Sequence, residues 1–207
     1  MVGSPYFASR ADAGRRLADV LPEVTDAVVA GLARGGVPVA AEVARALRAP
    51  LDVLVVRKIG HPIQPEYALG AVSEDGVVVP EDIAPRLAEP HLLEARDLAE
   101  RLRGGRQPHD VAGRVAVVVD DGLATGRSMA AALRTAERRG AARVIMAVPV
   151  AAGPGFRELG KTWEAHAVGV VEPPTFYAVG QFYEDFRQVS DAEVIALLGG
   201  EPSSTPS

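Results

Sequence analysis

Apolar positions along the chain follow two rhythms. Some stretches repeat them every three or four residues, the spacing of one helix face. Others run them together, as strands buried on both faces do. Arg10–Leu21 (RADAGRRLADVL) is helical, Asp26–Leu32 (DAVVAGL) reads as a buried strand, Val37–Leu47 as an alanine-rich helix and Leu51–Val56 (LDVLVV) as a second strand. Ala68–Val72 and Gly76–Pro80 form two short strands, a hairpin turned by SEDG. His91–Arg103 is an amphipathic helix entered through Glu89-Pro90. Strands over Arg114–Asp120, Arg143–Ala151 and Ala165–Val171 follow, separated by helices over Arg127–Gly140 and Phe156–Lys161. The last helix, Ser190–Gly200, opens on Ser190 with Glu193 placed for a capping box.

Strands alternating with helices imply right-handed crossovers and an α/β fold, a mainly parallel twisted sheet with helices on both faces. No repeat or internal linker interrupts it, so residues 1–198 are read as one domain and the Pro/Ser-rich residues 199–207 as a disordered tail. A length of 207 residues suits that reading. In such sheets ligands bind beyond the carboxyl ends of the strands, where strand order reverses. Chemistry is therefore sought at strand-to-loop junctions.

Composition narrows the classes. The chain is 48% hydrophobic and 24% charged, as folded globular chains are. A net charge of -5 argues against a general nucleic-acid binder, but small anions need only a few local cations or amides. The absence of cysteine excludes disulfides, thiolate zinc sites and thiol catalysis. The N-terminal stretch lacks the apolar core of a signal peptide, and no apolar run approaches the ~20 residues of a membrane helix. The expected location is the cytoplasm.

Four junctions carry candidate chemistry. In VVVDDGLATGRS a buried strand ends in Asp120 and Asp121, and a small-residue turn opens a helix. Successive strand residues point to opposite sides, so one carboxylate faces a ligand while the other holds the loop or a cation. Backbone N–H groups at the helix start suit a phosphate, with Thr125 and Ser128 adding hydroxyls. A Walker A loop needs G-x-x-x-x-G-K-[ST]; here the glycines are one residue too close and Arg127 replaces the lysine. At the second junction, Arg34-Gly35-Gly36 follows a strand; alone it is no more than a flexible turn. At the third, Arg57-Lys58 follows Leu51–Val56, and alone it is a solvated edge. The fourth, PPTFYAVGQFYEDF, gathers Phe176, Tyr177, Phe182, Tyr183 and Phe186, with Glu184 and Asp185 between them. At least half of these rings read as core, and one reads as a stacking platform for a planar ligand.

VVVDDGLATGRS resembles the phosphoribosyl-diphosphate (PRPP) signature of the type I phosphoribosyltransferases, and the order of elements fits that fold. The resemblance implies that Asp120 and Asp121 contact the ribose hydroxyls and that Ala124, Thr125, Gly126, Arg127 and Ser128 wrap the 5′-phosphate. It makes Arg34, Gly35 and Gly36 the diphosphate loop and Arg57 and Lys58 a basic pair on the leaving diphosphate. The loop from Ile59 to Glu66 becomes a water-excluding flap, with His61 and Glu66 as contacts. Phe182 and Tyr183 become the acceptor-stacking rings. Mg²⁺ is expected to arrive with PRPP, bound by no protein side chain directly and at most water-bridged to Asp120 and Asp121. The implied reaction is transfer of ribose 5-phosphate to a nucleobase-like acceptor. A homodimer is expected by the same analogy.

One position departs from the family pattern. Purine-type members often carry a third acid, assigned to the acceptor's proton, where this chain has Ala124. Either the acceptor needs no base there, or Glu66 or Glu184 supplies one, or the chain senses PRPP or a nucleotide without transfer. A phosphohydrolase using Asp120 as nucleophile is disfavoured, because the chain supplies no clear partners for that chemistry.

Overall fold

The structure is a computed structural model and describes residues 7–61, 68–172 and 174–199. Eight strands occur among them: β1 (Ala27–Leu32), β2 (Leu51–Leu54), β3 (Val56–Gly60), β4 (Ala68–Ser73), β5 (Val78–Val79), β6 (Val115–Val119), β7 (Arg143–Ala152) and β8 (Glu164–Val171). The helices are α1 (Arg10–Ala18), α2 (Gly36–Leu47), α3 (Pro85–Arg103), α4 (Arg127–Arg138), α5 (Gly153–Leu159) and α6 (Asp191–Leu197).

Five strands form a wholly parallel sheet in the order β2-β1-β6-β7-β8. Alternation along β6 shows how both faces are covered. Val117 and Val119 pack with Leu17 of α1 and Val39, Ala40 and Val43 of α2. Val118, between them, packs on the other face with Met129, Ala132 and Leu133 of α4. All three valines are fully buried, so an unbroken apolar run is what this strand requires. The α/β fold expected from the sequence is the one observed. No helix among the described residues is long and apolar enough to cross a bilayer.

The expected single strand Leu51–Val56 is two. The chain leaves the parallel sheet after Leu54 and re-enters order at Val56 in an antiparallel three-stranded sheet, β3-β4-β5. Val53 and Val55 both pack against Ala95, Leu98 and Leu102 of α3, so the apolar run is continuous although the sheet is not. Arg57 and Lys58 therefore lie within β3 of the second sheet, opposite Val72 and Ala71 of β4. Helix α3 also starts earlier than expected, at Pro85, with Pro90 inside it. Pro90 lies on the exposed side, and burial of Ala88, Ala95, Leu98 and Leu102 on the other offsets its missing backbone bond. The last described helix has the expected capping box, Ser190 with Glu193.

Candidate functional site

Strand order reverses between β1 and β6. From β1 the chain crosses through α2 to β2 on one side, while β6 lies on the other. Gly31 pairs with Val119 at the carboxyl ends, so the loop 33–36 and the turn 120–126 rise side by side. Two glycines allow this contact. A Cβ on Gly36 would lie 2.7 Å from the Val119 carbonyl oxygen, and one on Gly35 would lie 2.1 Å from Asp121 Oδ2. The Ala33–Arg34 peptide in this loop is cis.

Asp120 and Asp121 face different spaces. Asp120 lines a cavity of about 450 Å³ with Arg57, Lys58, His91, Glu94 and Ser128. Its Oδ1 accepts a 2.9 Å bond from the Asp121 backbone N–H. Burial pushes its carboxyl well above the usual range, and the neighbouring Asp121 charge adds to the rise, while Arg10 and Lys58 oppose it. Asp121 lines a second cavity of about 400 Å³ with Arg10, Arg34, Gly35, Phe186 and Gln188. Arg10 Nε donates to its Oδ2 at 2.9 Å, and the Tyr183 hydroxyl donates to its backbone oxygen at 2.6 Å. Burial raises the Asp121 carboxyl, against the pull of Arg10. Burial and the Asp121 charge push the Tyr183 hydroxyl up, which keeps it a donor.

The turn after Asp121 is pinned at Leu123, whose N–H bonds Val150 O at 2.9 Å and whose carbonyl accepts from Ala152 N at 2.7 Å. Ala124 and Thr125 then stand exposed, and Gly126 at φ 81° turns the chain into α4. Ser128 lies on the first cavity with Asp120. The Arg127 side chain leaves the turn: its Nη1 donates to Ala68 O at 2.6 Å and to Leu69 O at 2.7 Å, both on β4. Arg34 lines the second cavity, but its guanidinium pairs with Asp191 at the start of α6. Arg57 is half-buried, and its Nε is buried without a hydrogen-bond partner. A buried donor of that kind fits an anion brought by a ligand.

Phe182 and Tyr183 correct the sequence expectation. Each is only 5% exposed, in a cluster with Phe7 and Ala13. Tyr183 lies between Phe7 and Phe186, with ring centroids 5.3 and 5.0 Å away, and Phe182 lies 5.4 Å from Phe176. The reason is the N-terminal segment, which reaches across as Phe7 N–H bonds Phe182 O at 3.0 Å. Neither ring is free to stack on an acceptor. Phe186, under the Arg10 guanidinium at 4.0 Å, is the ring that borders a cavity. Glu184 is exposed and lines neither cavity. His61 follows β3, whereas Glu66 and the rest of residues 62–67 lie outside the described residues, as do 200–207 of the tail. Arg10, His91 and Glu94 escaped sequence reasoning. Arg10 meets Asp121 across 111 positions, and α3 reaches the cavity through its packing on β2, β3 and β4.

The phosphoribosyl transferase domain model matches residues 10–187. The chain belongs to that family. Curated proteins from two strains of Mycobacterium tuberculosis, provisionally named phosphoribosyl transferases, are 47% identical to it over 93% of its length. The chain spans 46% of those proteins, about half their length. The crystal structure of the Thermus thermophilus protein TT1426 is similar at 44% identity and a TM-score of 0.81, covering 93% of this chain and 97% of that one. A Neisseria gonorrhoeae protein solved with bound ppGpp shares the fold at 12% identity and a TM-score of 0.54, covering 93% of this chain and 94% of that one. Within this phosphoribosyl transferase domain, Asp120 and Asp121 lie where the strand order reverses.

Proposed function

We propose that this domain transfers ribose 5-phosphate from PRPP to a nucleobase-like acceptor and releases diphosphate. One observation carries the reading: a single cavity is lined by Asp120 and Ser128 on one side and by Arg57 and Lys58 on the other. Asp120 would accept from a ribose hydroxyl, with Asp121 held behind it by Arg10. The exposed turn 124–128 and the start of α4 would receive the 5′-phosphate on backbone N–H groups. Arg57 and Lys58 would take the diphosphate. As the bond from C1 to the diphosphate oxygen breaks, negative charge grows on that oxygen, and fixed cations there lower the barrier.

Mg²⁺ is part of the proposal. No cluster of three or more acidic or histidine side chains able to hold a metal occurs among the described residues. The carboxylates of Asp120 and Asp121 fit an ion that arrives with oxygen ligands of its own and keeps several waters. Asp120 and Asp121 would hold those waters, and the ion would supply further charge neutralisation at the diphosphate.

Ala124 has no group that can take up or give a proton, so this reading favours an acceptor that is already a competent nucleophile. The same residue favours a second reading, PRPP or nucleotide sensing without transfer. Thermal unfolding with PRPP and Mg²⁺, followed by assay of diphosphate release over a panel of bases, separates the two. PRPP at 100 times its Kd stabilises by about 2.7 kcal/mol, a Tm rise on the order of 5–10 °C for a domain this size. No rise at saturating PRPP overturns transfer and PRPP sensing alike; a rise without turnover on any base selects sensing. Asp120→Asn is expected to fold and to lose the rise.

A further inference from the structure

The proposed site is divided between two sheets. Asp120 follows directly on β6 of the parallel sheet, whereas Arg57 and Lys58 lie on β3 of the antiparallel one. Something must hold the diphosphate half at a fixed distance from the ribose-phosphate half. Helix α4 runs along the seam and grips β4 and the residues after it at three levels. Arg127 Nη1 donates to Ala68 O and Leu69 O at 2.6 and 2.7 Å. The Ser73 hydroxyl donates to Thr135 Oγ1 at 2.8 Å, since the Thr135 proton goes to Ala131 O. Arg139, which caps α4, pairs with Glu74 and Asp75, both at 2.7 Å.

The first of these lies against the site. Arg127 follows Gly126 directly in the turn and is the first residue of α4. The carbonyls it holds open β4, and the register passes the constraint onward: Ala68 pairs with Gly60, Gly70 with Ile59, Ala71 with Lys58 and Val72 with Arg57. One guanidinium nitrogen bound to two successive carbonyls is a charge-assisted anchor, stronger than a neutral hydrogen bond. We propose that Arg127 is a positioning residue that ties the phosphate turn to β4 and so sets Arg57 and Lys58 at the distance PRPP requires. It would touch neither phosphate. The inference rests on the proposed function and goes beyond it, because it assigns Arg127 to the diphosphate half although its backbone belongs to the other.

Two half-ligands test this directly: ribose 5-phosphate for the phosphate turn, and inorganic diphosphate with Mg²⁺ for the basic pair, each titrated by calorimetry. Arg127→Ala is expected to weaken diphosphate about tenfold, the scale of one lost charged hydrogen bond, and to change ribose 5-phosphate less than about twofold. Arg127→Lys, which keeps a cationic donor on a flexible stem, is expected to recover part of the diphosphate affinity. The reverse pattern, ribose 5-phosphate lost and diphosphate kept, would make Arg127 a phosphate ligand and overturn the proposal. Equal loss of both, or loss of neither, in a variant that unfolds as cooperatively as the parent also overturns it. A parent protein that binds neither half-ligand fails at an earlier point, by overturning the proposed function itself.

Discussion

Burial holds the Asp120 carboxyl well above its ordinary range, and the Asp121 charge beside it acts in the same direction. Between the unfolded and folded values the native state binds more protons than the unfolded chain, so stability falls as pH rises through the folded value. Asp120 thus lowers stability at neutral pH, as residues set for ligands often do. Asp120→Asn is expected to raise Tm at pH 7, because the amide oxygen still accepts from Asp121 N–H while the charge is gone. The gain should shrink as pH falls below the folded value and disappear near pH ~4, where the unfolded carboxyl also protonates. A Tm difference unchanged from pH 7 to pH 4 would show that ionisation of Asp120 costs nothing. Burial raises the Asp121 carboxyl too, but removing its charge would leave the Arg10 guanidinium without its anion. Asp121 is bonded to Arg10, and their side chains are 14% and 11% exposed. Asp121→Asn should destabilise by about 1.5–3 kcal/mol, the worth of a hydrogen bond to a charged group. The sequence placed both acids at the strand end but offered no way to find Arg10, which lies on a helix far away in the chain.

Local signals fix the elements best. β6, the turn and α4 were legible because everything that shapes them is adjacent in sequence: three valines, two acids, a glycine at positive φ and an alanine-rich helix. The break between β2 and β3 was not legible. The apolar run continues across Val55, and the change of sheet is imposed by α3, which comes much later in the chain. The aromatic segment misled for a similar reason, since Phe7 completes its cluster from the opposite end of the described chain. Gly35 and Gly36 read alone as a flexible turn and by resemblance as a diphosphate loop, and the structure adds a steric reason for them. A Cβ on Gly35 would overlap Asp121 Oδ2, and one on Gly36 would sit 2.7 Å from Val119 O and 2.9 Å from the Asp120 Cα. Gly36→Ala meets the backbone of Val119 and Asp120, which cannot give way as a side chain can, so about 1–3 kcal/mol of overpacking is expected. Gly169→Ala in β8, where a Cβ has open space, is the control and should leave Tm nearly unchanged. Chemical denaturation of the two variants tests this; equal midpoints would mean that the loop and β6 are less tightly apposed than described.

At the scale of the whole molecule, the two sheets must be joined firmly enough for a site built across them to keep its shape. Apolar contacts supply most of that, but the seam also contains a buried polar knot. Glu74 Oε1 accepts from Arg103 at 2.6 Å and from Arg139 at 2.7 Å, with the Glu74 side chain 4% exposed and Arg103 8%. Arg103 Nε also donates to Asp52 Oδ1 at 3.0 Å, which ties α3 to β2 of the parallel sheet. Asp52 Oδ2 in turn accepts from the His109 backbone N–H at 2.8 Å. Each charge is thus covered by partners from other elements, and removing one leaves the rest buried without compensation. Breaking such a pair on one side costs about 3–5 kcal/mol, here a Tm loss on the order of 6–20 °C. Glu74→Ala is expected to fall in that range. Arg103→Met introduced on top of it should cost much less than it does alone, because the arginine no longer has its main partner. A double-mutant cycle by thermal or urea unfolding measures the coupling, and additive losses would show that the two sheets are joined without Glu74. The same variant also probes the site's dependence on the seam. If α4 holds β4 at several levels, Glu74→Ala should weaken diphosphate binding less than Arg127→Ala does, since its contact lies at the far end of the helix from the phosphate turn.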